Sequence, residues 1–360
     1  MPRPLGTARG PGNHRERPER NVSYSVRFEP VGIEIDVEED ETILQAAFRQ
    51  GVSLMHGCKE GQCSSCKSIL LEGELDMLRY STFALPDEEK EMGYVLLCRS
   101  QPLDDLVIEL LSWDEETLHM TAPVSTHRVT VEEVERLTHD MRLLAVRLEQ
   151  EMPFRAGQYV DFRIPRSDSV RSFSMSSTPQ VMDRLEFMVK VFPDGRFSSL
   201  LDGGIERGDE LEMVGPYGNF GLRQTDAQAV FVGGGSGMAP LYAMLHDMAE
   251  RDVQREVTFF YGARTPRDLF HVDRLRALEA RLPGFRFVPA LSEPAADDGW
   301  DGPAGLVTEV LGSQLDQMDD QLEAYLCGPP PMIDAAIQVL YRRGVPGSRI
   351  YYDKFTAATS

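Results

Sequence analysis

Four cysteines fall in a pattern that can do one-electron chemistry. Cys58, Cys63 and Cys66 are spaced C-x4-C-x2-C, and 31 residues separate Cys66 from Cys98. Four thiolates at this spacing match the plant-type arrangement for a [2Fe–2S] cluster. The loop's composition agrees with its sulfurs. Gly57 and Gly61 let the chain fold closely around a cluster, and Ser64 and Ser65 offer backbone N–H groups to sulfur. A structural zinc site usually pairs two C-x2-C units, and here there is one. Cys63-Ser-Ser-Cys66 could be a dithiol pair, but no βαβ pattern surrounds it. A disulfide framework is disfavoured without a secretion signal. The cluster is therefore the favoured reading. His56 invites comparison with a Rieske centre, where histidine replaces two cysteines. All four cysteines are already accounted for, so His56 is read as a packing or hydrogen-bonding residue.

Further along, the residue types suit phosphates and flat rings. Arg171-Ser172-Phe173-Ser174 follows Gly157-Gln158-Tyr159; an Arg beside small hydroxyls can pair with a pyrophosphate while an aromatic lies along a ring. Gly195-Arg-Phe-Ser198-Ser199 is expected to open a helix, whose free N–H groups suit a second phosphate contact. Gly233-Gly234-Gly235-Ser236-Gly237-Met-Ala-Pro240 stands between an expected strand and helix. Its glycines let backbone approach a pyrophosphate, and Pro240 suits a first helical turn. The Lys of a P-loop is absent, and the run departs from G-x-G-x-x-G; a plain tight turn is the bland alternative. Cys327-Gly328-Pro329-Pro-Pro-Met332 repeats the strand–turn–helix form, so both loops should reach the carboxyl edge of one sheet, where open α/β sheets bind ligands. Cys327 lies outside the cluster spacing; it either faces a nicotinamide or is a small buried hydrophobe.

These residues need scaffolds, and the chain supplies three kinds. In residues 22–113, YSVRFEP and VGIEIDV alternate about a turn, as a hairpin does, and TILQAAFRQG reads as a helix stopped by Gly51. LVIELL closes this block as a strand. Residues 114–123 form a polar linker. Residues 124–225 hold six short β-type runs punctuated by Gly and Pro, the pattern of a closed barrel. Residues 226–360 alternate strands (AVFVGG, EVTFFYG, FRFVPAL, EAYLCG) with helices, the pattern of a doubly wound parallel sheet. Residues 1–21, rich in Pro, Gly and Arg, read as a disordered basic arm and lack the apolar core of a signal peptide.

Composition narrows the partners. The 360 residues carry 58 Asp and Glu against 37 Lys and Arg, a net charge of −21, which disfavours nucleic acid and anionic membrane surfaces. No run of about 18 apolar residues occurs, so no membrane span is expected. Residues 22–113 hold 18 acidic and 7 basic side chains, a net −11, so about half of the charge sits on the expected cluster domain.

The joint order of these motifs resembles the ferredoxin–NADP reductase superfamily: GQYV, RSFS, GGGSGMAP, CGPPPM and a carboxyl-terminal aromatic. Preceded by C-x4-C-x2-C and a distant cysteine, the chain is similar to the reductase components of soluble di-iron monooxygenases. HGCKEGQCSSCK, RSFSM and IYYDKF look most like those of the propane and methane type. The resemblance covers about residues 22–355. It implies a β-grasp ferredoxin domain, an antiparallel β-barrel FAD domain and a doubly wound NAD domain. It implies that Cys58, Cys63, Cys66 and Cys98 ligate the cluster. Tyr159, Arg171, Ser172, Phe173 and Ser174 would meet FAD, with Ser174 near the flavin N5. Phe173 stands where the family has Tyr, which leaves ring packing and no hydroxyl contact. Val189, Lys190 and Val191 would line the flavin strand, with Gly195, Ser198 and Ser199 at its pyrophosphate. Gly233 to Gly237, Pro240, Cys327, Gly328, Pro329 and Met332 would hold the nucleotide, Cys327 near its reacting ring. Phe355 matches the aromatic that covers the flavin.

Electron counting then gives the expected function. NADH donates a hydride, a two-electron step, and a [2Fe–2S] cluster accepts one electron at a time, so a flavin must stand between them. No Glu-x-x-His pair on facing helices exists to build a di-iron centre, so the oxygenase is another polypeptide. The reading is an NADH-dependent FAD and [2Fe–2S] reductase feeding a monooxygenase hydroxylase, with a coupling protein as a further partner, acting as a cytoplasmic monomer. NADH is preferred because no clear Arg/Lys pair awaits a 2′-phosphate, although Arg264 and Arg267 lie near a strand end. The alternatives are a reductase for a ring-hydroxylating dioxygenase and a non-enzymatic electron carrier or redox sensor.

Overall fold

The computed structural model describes residues 23–167, 169–193 and 195–355. The basic arm expected over 1–21 lies outside the described residues. The chain forms two compact units, one of residues 23–46 and 57–111, the other of residues 47–56 and 112–355.

The first unit begins with the expected hairpin. Strands β1 (Ser23–Glu29) and β2 (Ile33–Glu38) pair antiparallel, burying Val26, Phe28, Ile35 and Val37 on one face, as period-2 alternation requires. Helix α1 (Ile43–Arg49) follows. Thr42 accepts the Gln45 amide at 3.3 Å, and the Gln45 side chain accepts the Thr42 amide at 3.0 Å, a reciprocal capping box. Short elements the motifs did not announce come next: β3 (Lys67–Glu72), β4 (Leu75–Met77), α2 (Asp87–Glu91), β5 (Tyr94–Leu96) and β6 (Ser100–Pro102). Strand β7 (Leu106–Leu110) is the expected LVIELL. The main sheet has the order β2-β1-β7-β3-β5, with β1 and β7 parallel.

The second unit contains both remaining sheets. Strands β8 (Ser125–Arg136), β9 (Met141–Leu148), β10 (Tyr159–Arg163), β11 (Val170–Ser174), β12 (Arg184–Lys190) and β13 (Glu210–Tyr217) match the six expected runs. They order as β11-β10-β13-β8-β9-β12. A single bridge between Met175 and Phe187 joins the two end strands and nearly closes the barrel. Its core gathers Val129, Leu144, Val160, Phe162, Phe187 and Phe197.

The parallel sheet is built from β14 (Ala229–Gly234), β15 (Val257–Ala263), β16 (Phe285–Leu291), β17 (Glu323–Gly328) and β18 (Ile350–Lys354), in the order β16-β15-β14-β17-β18. Helices α3 (Met238–Glu250), α4 (Val272–Arg281), α5 (Val307–Gln314) and α6 (Pro330–Arg343) cover it. Every residue of β14 and β17 is buried, as expected for strands covered on both faces. Helix α4 does not begin until Val272. Thr265 and Asp268 cap a short 3-10 turn over Pro266–Asp268, and His271 adopts φ 55° before the helix begins. Met141, Leu143 and Met188 of the barrel join Phe231, Tyr242 and Phe259 of the sheet domain in one apolar cluster. Barrel and sheet therefore share a core.

Candidate functional site

The cysteine loop is held in an unusual backbone. Lys59 and Ser64 have φ of 58° and 62°, and Gly61 has φ of 71°. Two non-glycine residues in the left-handed region are costly and persist only where surroundings enforce them. The payoff is visible in the N–H groups. Cys58 N donates to Cys63 Sγ at 3.2 Å, and Glu60 N and Gln62 N donate to Cys58 Sγ at 3.4 and 3.2 Å. Ser65 and Cys63 meet through side chains at 3.3 Å. A Cβ on Gly57 would stand 2.9 Å from Cys63 Sγ, so glycine there leaves room for sulfur. Cys66 and Cys98 are buried while Cys63 is exposed. The Cys58 thiol donates to Cys63 and holds its thiol down to about 5, while the same contact raises Cys58. Cys98 likewise lowers Cys66 and is itself raised. Two contacting sulfur pairs, Cys58–Cys63 and Cys66–Cys98, the first of them met by backbone N–H donors, fit a thiolate-bound cluster.

His56 keeps the modest role expected of it. Its Nδ1 lies 2.7 Å from the Leu54 carbonyl, and its ring packs edge-on to Phe48 at 4.7 Å.

On the barrel, strand register gathers one set of expected residues. Tyr159 pairs with Ser174 on one side and with Tyr217 on the other. The Tyr159 and Tyr217 rings stack at 5.5 Å, and burial pushes the Tyr217 hydroxyl pKa upward. Tyr217, which is not among the expected site residues, belongs to this group. Ser172 Oγ donates to Asp161 at 2.6 Å, and Arg171 donates to the Val170 carbonyl at 2.8 Å. The Phe173 ring rests against Phe197 and Phe162, at 5.1 and 6.2 Å. The hydroxyl of Ser176 is buried with no partner, an orphan that a ligand's polar atom would satisfy. With Arg171, this set fits a dinucleotide flavin. Val189 is buried in the barrel core, so it can offer only its backbone. Lys190 pairs with Asp140 at 3.1 Å, and Val191 N donates to the Asp140 carbonyl. The helix expected after Gly195 is a five-residue 3-10 turn, Ser198–Asp202. Ser198 Oγ already accepts the Phe192 amide at 3.2 Å, and Ser199 Oγ donates to the Gly195 carbonyl.

The third set converges at the carboxyl edge of the parallel sheet. Gly233 and Cys327 are register partners across β14 and β17, so both glycine loops leave the sheet side by side. Their glycines serve that packing first. A Cβ on Gly237 would lie 2.1 Å from the Cys327 carbonyl oxygen, and one on Gly234 would lie 2.8 Å from Met332 Sδ. Gly235 differs: it has φ of 56°, faces open space, and its carbonyl accepts the Tyr261 hydroxyl at 3.2 Å. Pro240 sits in the first turn of α3, with Pro329 capping α6. Cys327 is fully buried, and burial, reinforced by Asp353, pushes its thiol pKa well up. Asp353 is its register partner on β18, with a carboxyl raised by burial to about 6. Phe355 N donates to the Gly328 carbonyl at 2.9 Å, which fixes the terminal aromatic beside the same loop. Cys327, Gly328, Asp353 and Phe355 thus stand together at one sheet edge; Ser174 lies in the other sheet. Sequence reasoning missed Asp353, and its only signal was an acidic residue inside the apolar run IYYDKF. Arg264 and Arg267 are exposed just past β15.

A nearly closed six-stranded barrel sharing a core with a parallel nucleotide-type sheet, preceded in sequence by a four-cysteine set, defines an iron–sulfur flavoprotein reductase. Comparison with known proteins agrees. The 2Fe-2S iron-sulfur cluster binding domain matches residues 26–103, the oxidoreductase FAD-binding domain 128–221, and the oxidoreductase NAD-binding domain 231–338. The propane 2-monooxygenase reductase component of Mycolicibacterium smegmatis is 46% identical over 344 residues, covering 93% of this chain and 98% of that protein. The phenol 2-monooxygenase reductase component DmpP of a Pseudomonas is 38% identical over 338 residues, covering 94% and 96%. The crystal structure of the Amycolatopsis cytochrome P450 reductase GcoB superposes with a TM-score of 0.85 at 31% identity, covering 93% of this chain and all of that one. The chain belongs to the family of monooxygenase reductase components within the ferredoxin–NADP reductase superfamily. Its cofactors are FAD, NAD and a [2Fe–2S] cluster.

Proposed function

We propose that the chain is an NADH-dependent reductase that delivers electrons singly to the di-iron hydroxylase of a multicomponent monooxygenase of the propane type. The observation that carries this reading is the joining, in one polypeptide, of a cluster loop with exposed Cys63 and a nucleotide edge with buried Cys327. Bound there, FAD supplies the exchange between two-electron and one-electron chemistry. The domains assigned are a ferredoxin domain over 22–113, a linker over 114–123, a flavin barrel over 124–225 and a nucleotide domain over 226–360.

Each residue has a role in this scheme. Arg171 and the small hydroxyls at 172 and 174 bind and orient the flavin, Ser174 nearest its reacting edge, while the Tyr159–Tyr217 stack flanks the same strand ends. Lys190, steadied by Asp140, and the backbone of Val189 and Val191 line the flavin strand, with Gly195, Ser198 and Ser199 at the pyrophosphate. Gly235 and Ser236 lie open for the nucleotide pyrophosphate, and the Cys327–Met332 loop orients the nicotinamide. Phe355 covers the ring site and excludes water until nucleotide enters. Cys58, Cys63, Cys66 and Cys98 hold the cluster. The protein acts as a cytoplasmic monomer; its acceptor is a hydroxylase, with a coupling protein beside it. Among the described residues, no helix is long and apolar enough to cross a membrane.

An anaerobic titration of the purified holoprotein tests the reading. Flavin and cluster absorbance should bleach together after about 1.5 equivalents of NADH, two electrons for the flavin and one for the cluster. NADPH should react at least about tenfold more slowly, since no clear Arg/Lys pair is placed for a 2′-phosphate among the described residues. No bleaching by NADH removes the enzyme assignment, and equal rates remove the NADH preference.

A further inference from the structure

Phe83 has 95% of its surface in solvent. A single exposed apolar residue is ordinary, but this one is tied to the cluster loop. Ser81 N donates to the Gly61 carbonyl at 3.0 Å, and Ser64 Oγ donates to the Ala84 carbonyl at 2.8 Å. Phe83 N donates to Ser81 Oγ at 3.3 Å, and the next residues, Ala84 and Leu85, are buried. The ring thus projects from backbone anchored on both sides of the ligand loop, whose Gln62, Cys63 and Ser65 are themselves exposed.

Charge surrounds it. Helix α2, beginning four residues on, is Asp-Glu-Glu-Lys-Glu and buries no residue, so core packing does not explain it. Its cation is engaged locally: Lys90 Nζ lies 5.9 Å from the Tyr80 ring centre. Lys67, the nearby basic residue of β3, is paired with Glu89. Asp87, Glu88 and Glu91 remain exposed. An exposed aromatic bordered by uncompensated carboxylates is the form of an interface anchor with a charged rim.

We propose that Phe83 and the acidic face of α2 form the docking surface for the hydroxylase, whose complementary site is an apolar pocket ringed by Lys and Arg. This rests on the function proposed above. Aromatic insertion fixes the complex with the cluster loop against the acceptor, and the carboxylates steer the encounter.

The test uses full-length protein carrying flavin and cluster, with the hydroxylase component of Mycolicibacterium smegmatis propane 2-monooxygenase as the probe. Phe83→Ala should raise the hydroxylase concentration needed for half-maximal turnover about 30-fold. NADH-driven cluster bleaching and ferricyanide reduction should be unchanged, and Leu71→Ala should behave as wild type. Replacing Asp87, Glu88 and Glu91 by their amides should slow association and flatten its dependence on salt. An unchanged hydroxylase titration for Phe83→Ala overturns the proposal. Slower cluster bleaching in that variant overturns it too, because the ring would then serve the flavin module. Loss of a dimer on sedimentation would assign the surface to a second copy instead. A wild-type protein that reduces ferricyanide but neither binds nor drives the hydroxylase overturns the functional reading itself.

Discussion

The cysteine loop and the carboxyl edge of the parallel sheet both use glycine-rich turns to prepare a redox site, by opposite means. In the loop, chemistry is local. Nine residues, Cys58 to Cys66, carry three sulfurs, their N–H donors and the left-handed backbone that aims them. At the sheet edge, chemistry is assembled from β14, β17 and β18, and the glycines mainly allow two loops to touch. One site is encoded by spacing; the other is encoded by register. The difference teaches what a substitution can reach: at the loop it removes a ligand, whereas at the edge it disturbs a packing that several strands share.

The most severe break should come at a cysteine proposed as a ligand. Cys66→Ala removes one of four thiolates from a buried position, so the visible and EPR signals of the cluster should vanish. Turnover with a hydroxylase should fall at least about 100-fold, while NADH-driven ferricyanide reduction through the flavin persists. Cys327→Ala should leave the cluster signals intact. If both substitutions bleach the cluster, the two sites are not separable as argued.

A second break separates packing glycines from conformational ones. Gly237→Ala drives a Cβ to 2.1 Å from the Cys327 carbonyl oxygen, a backbone atom that cannot rotate away. Overpacking of this kind should cost about 3 kcal/mol. Gly235→Ala meets open space and only the strain of φ 56°, about 1–2 kcal/mol. Thermal unfolding should therefore show the larger fall for Gly237→Ala. The reverse order would mean that the glycine run is conserved in shape by its turn and not by its neighbour loop.

The same contrast explains what the sequence made legible. The cysteine loop, the hairpin, the six barrel strands and the two glycine loops are contiguous signals, and each of these elements forms where its pattern put it. Helix α5 and strand β18 were not foreseen. VTEVLGSQ is short and weakly periodic, and IYYDKF, once matched as a terminal aromatic, gave no separate indication of a strand. FSSLLDGGI reads as a helical piece, and the structure keeps only a 3-10 turn there; Gly203, at φ 115°, stops it within five residues. Tyr217 and Asp353 escaped for another reason. Neither has a signal of its own within its segment, and each gains its place only when a register sets it opposite Tyr159 or Cys327.

Asp353 offers the finest test of the register-built site. Burial raises its carboxyl from an ordinary 3.8 to about 6, so the folded chain keeps a proton that the unfolded chain releases between those values. By linkage, this contribution to stability is fully present below about pH 3.8 and is lost as pH rises through about 6. Asp353→Asn cannot lose the proton. Against wild type, the variant should therefore gain relative stability on going from pH 4.5 to pH 7, by about 1–2 kcal/mol after allowance for solvent screening. Paired thermal unfolding of the two proteins at those pH values measures the gain. Equal pH dependence would show that the carboxyl opposite Cys327 is solvated as an ordinary surface acid. The edge would then be less enclosed than the buried thiol beside it implies.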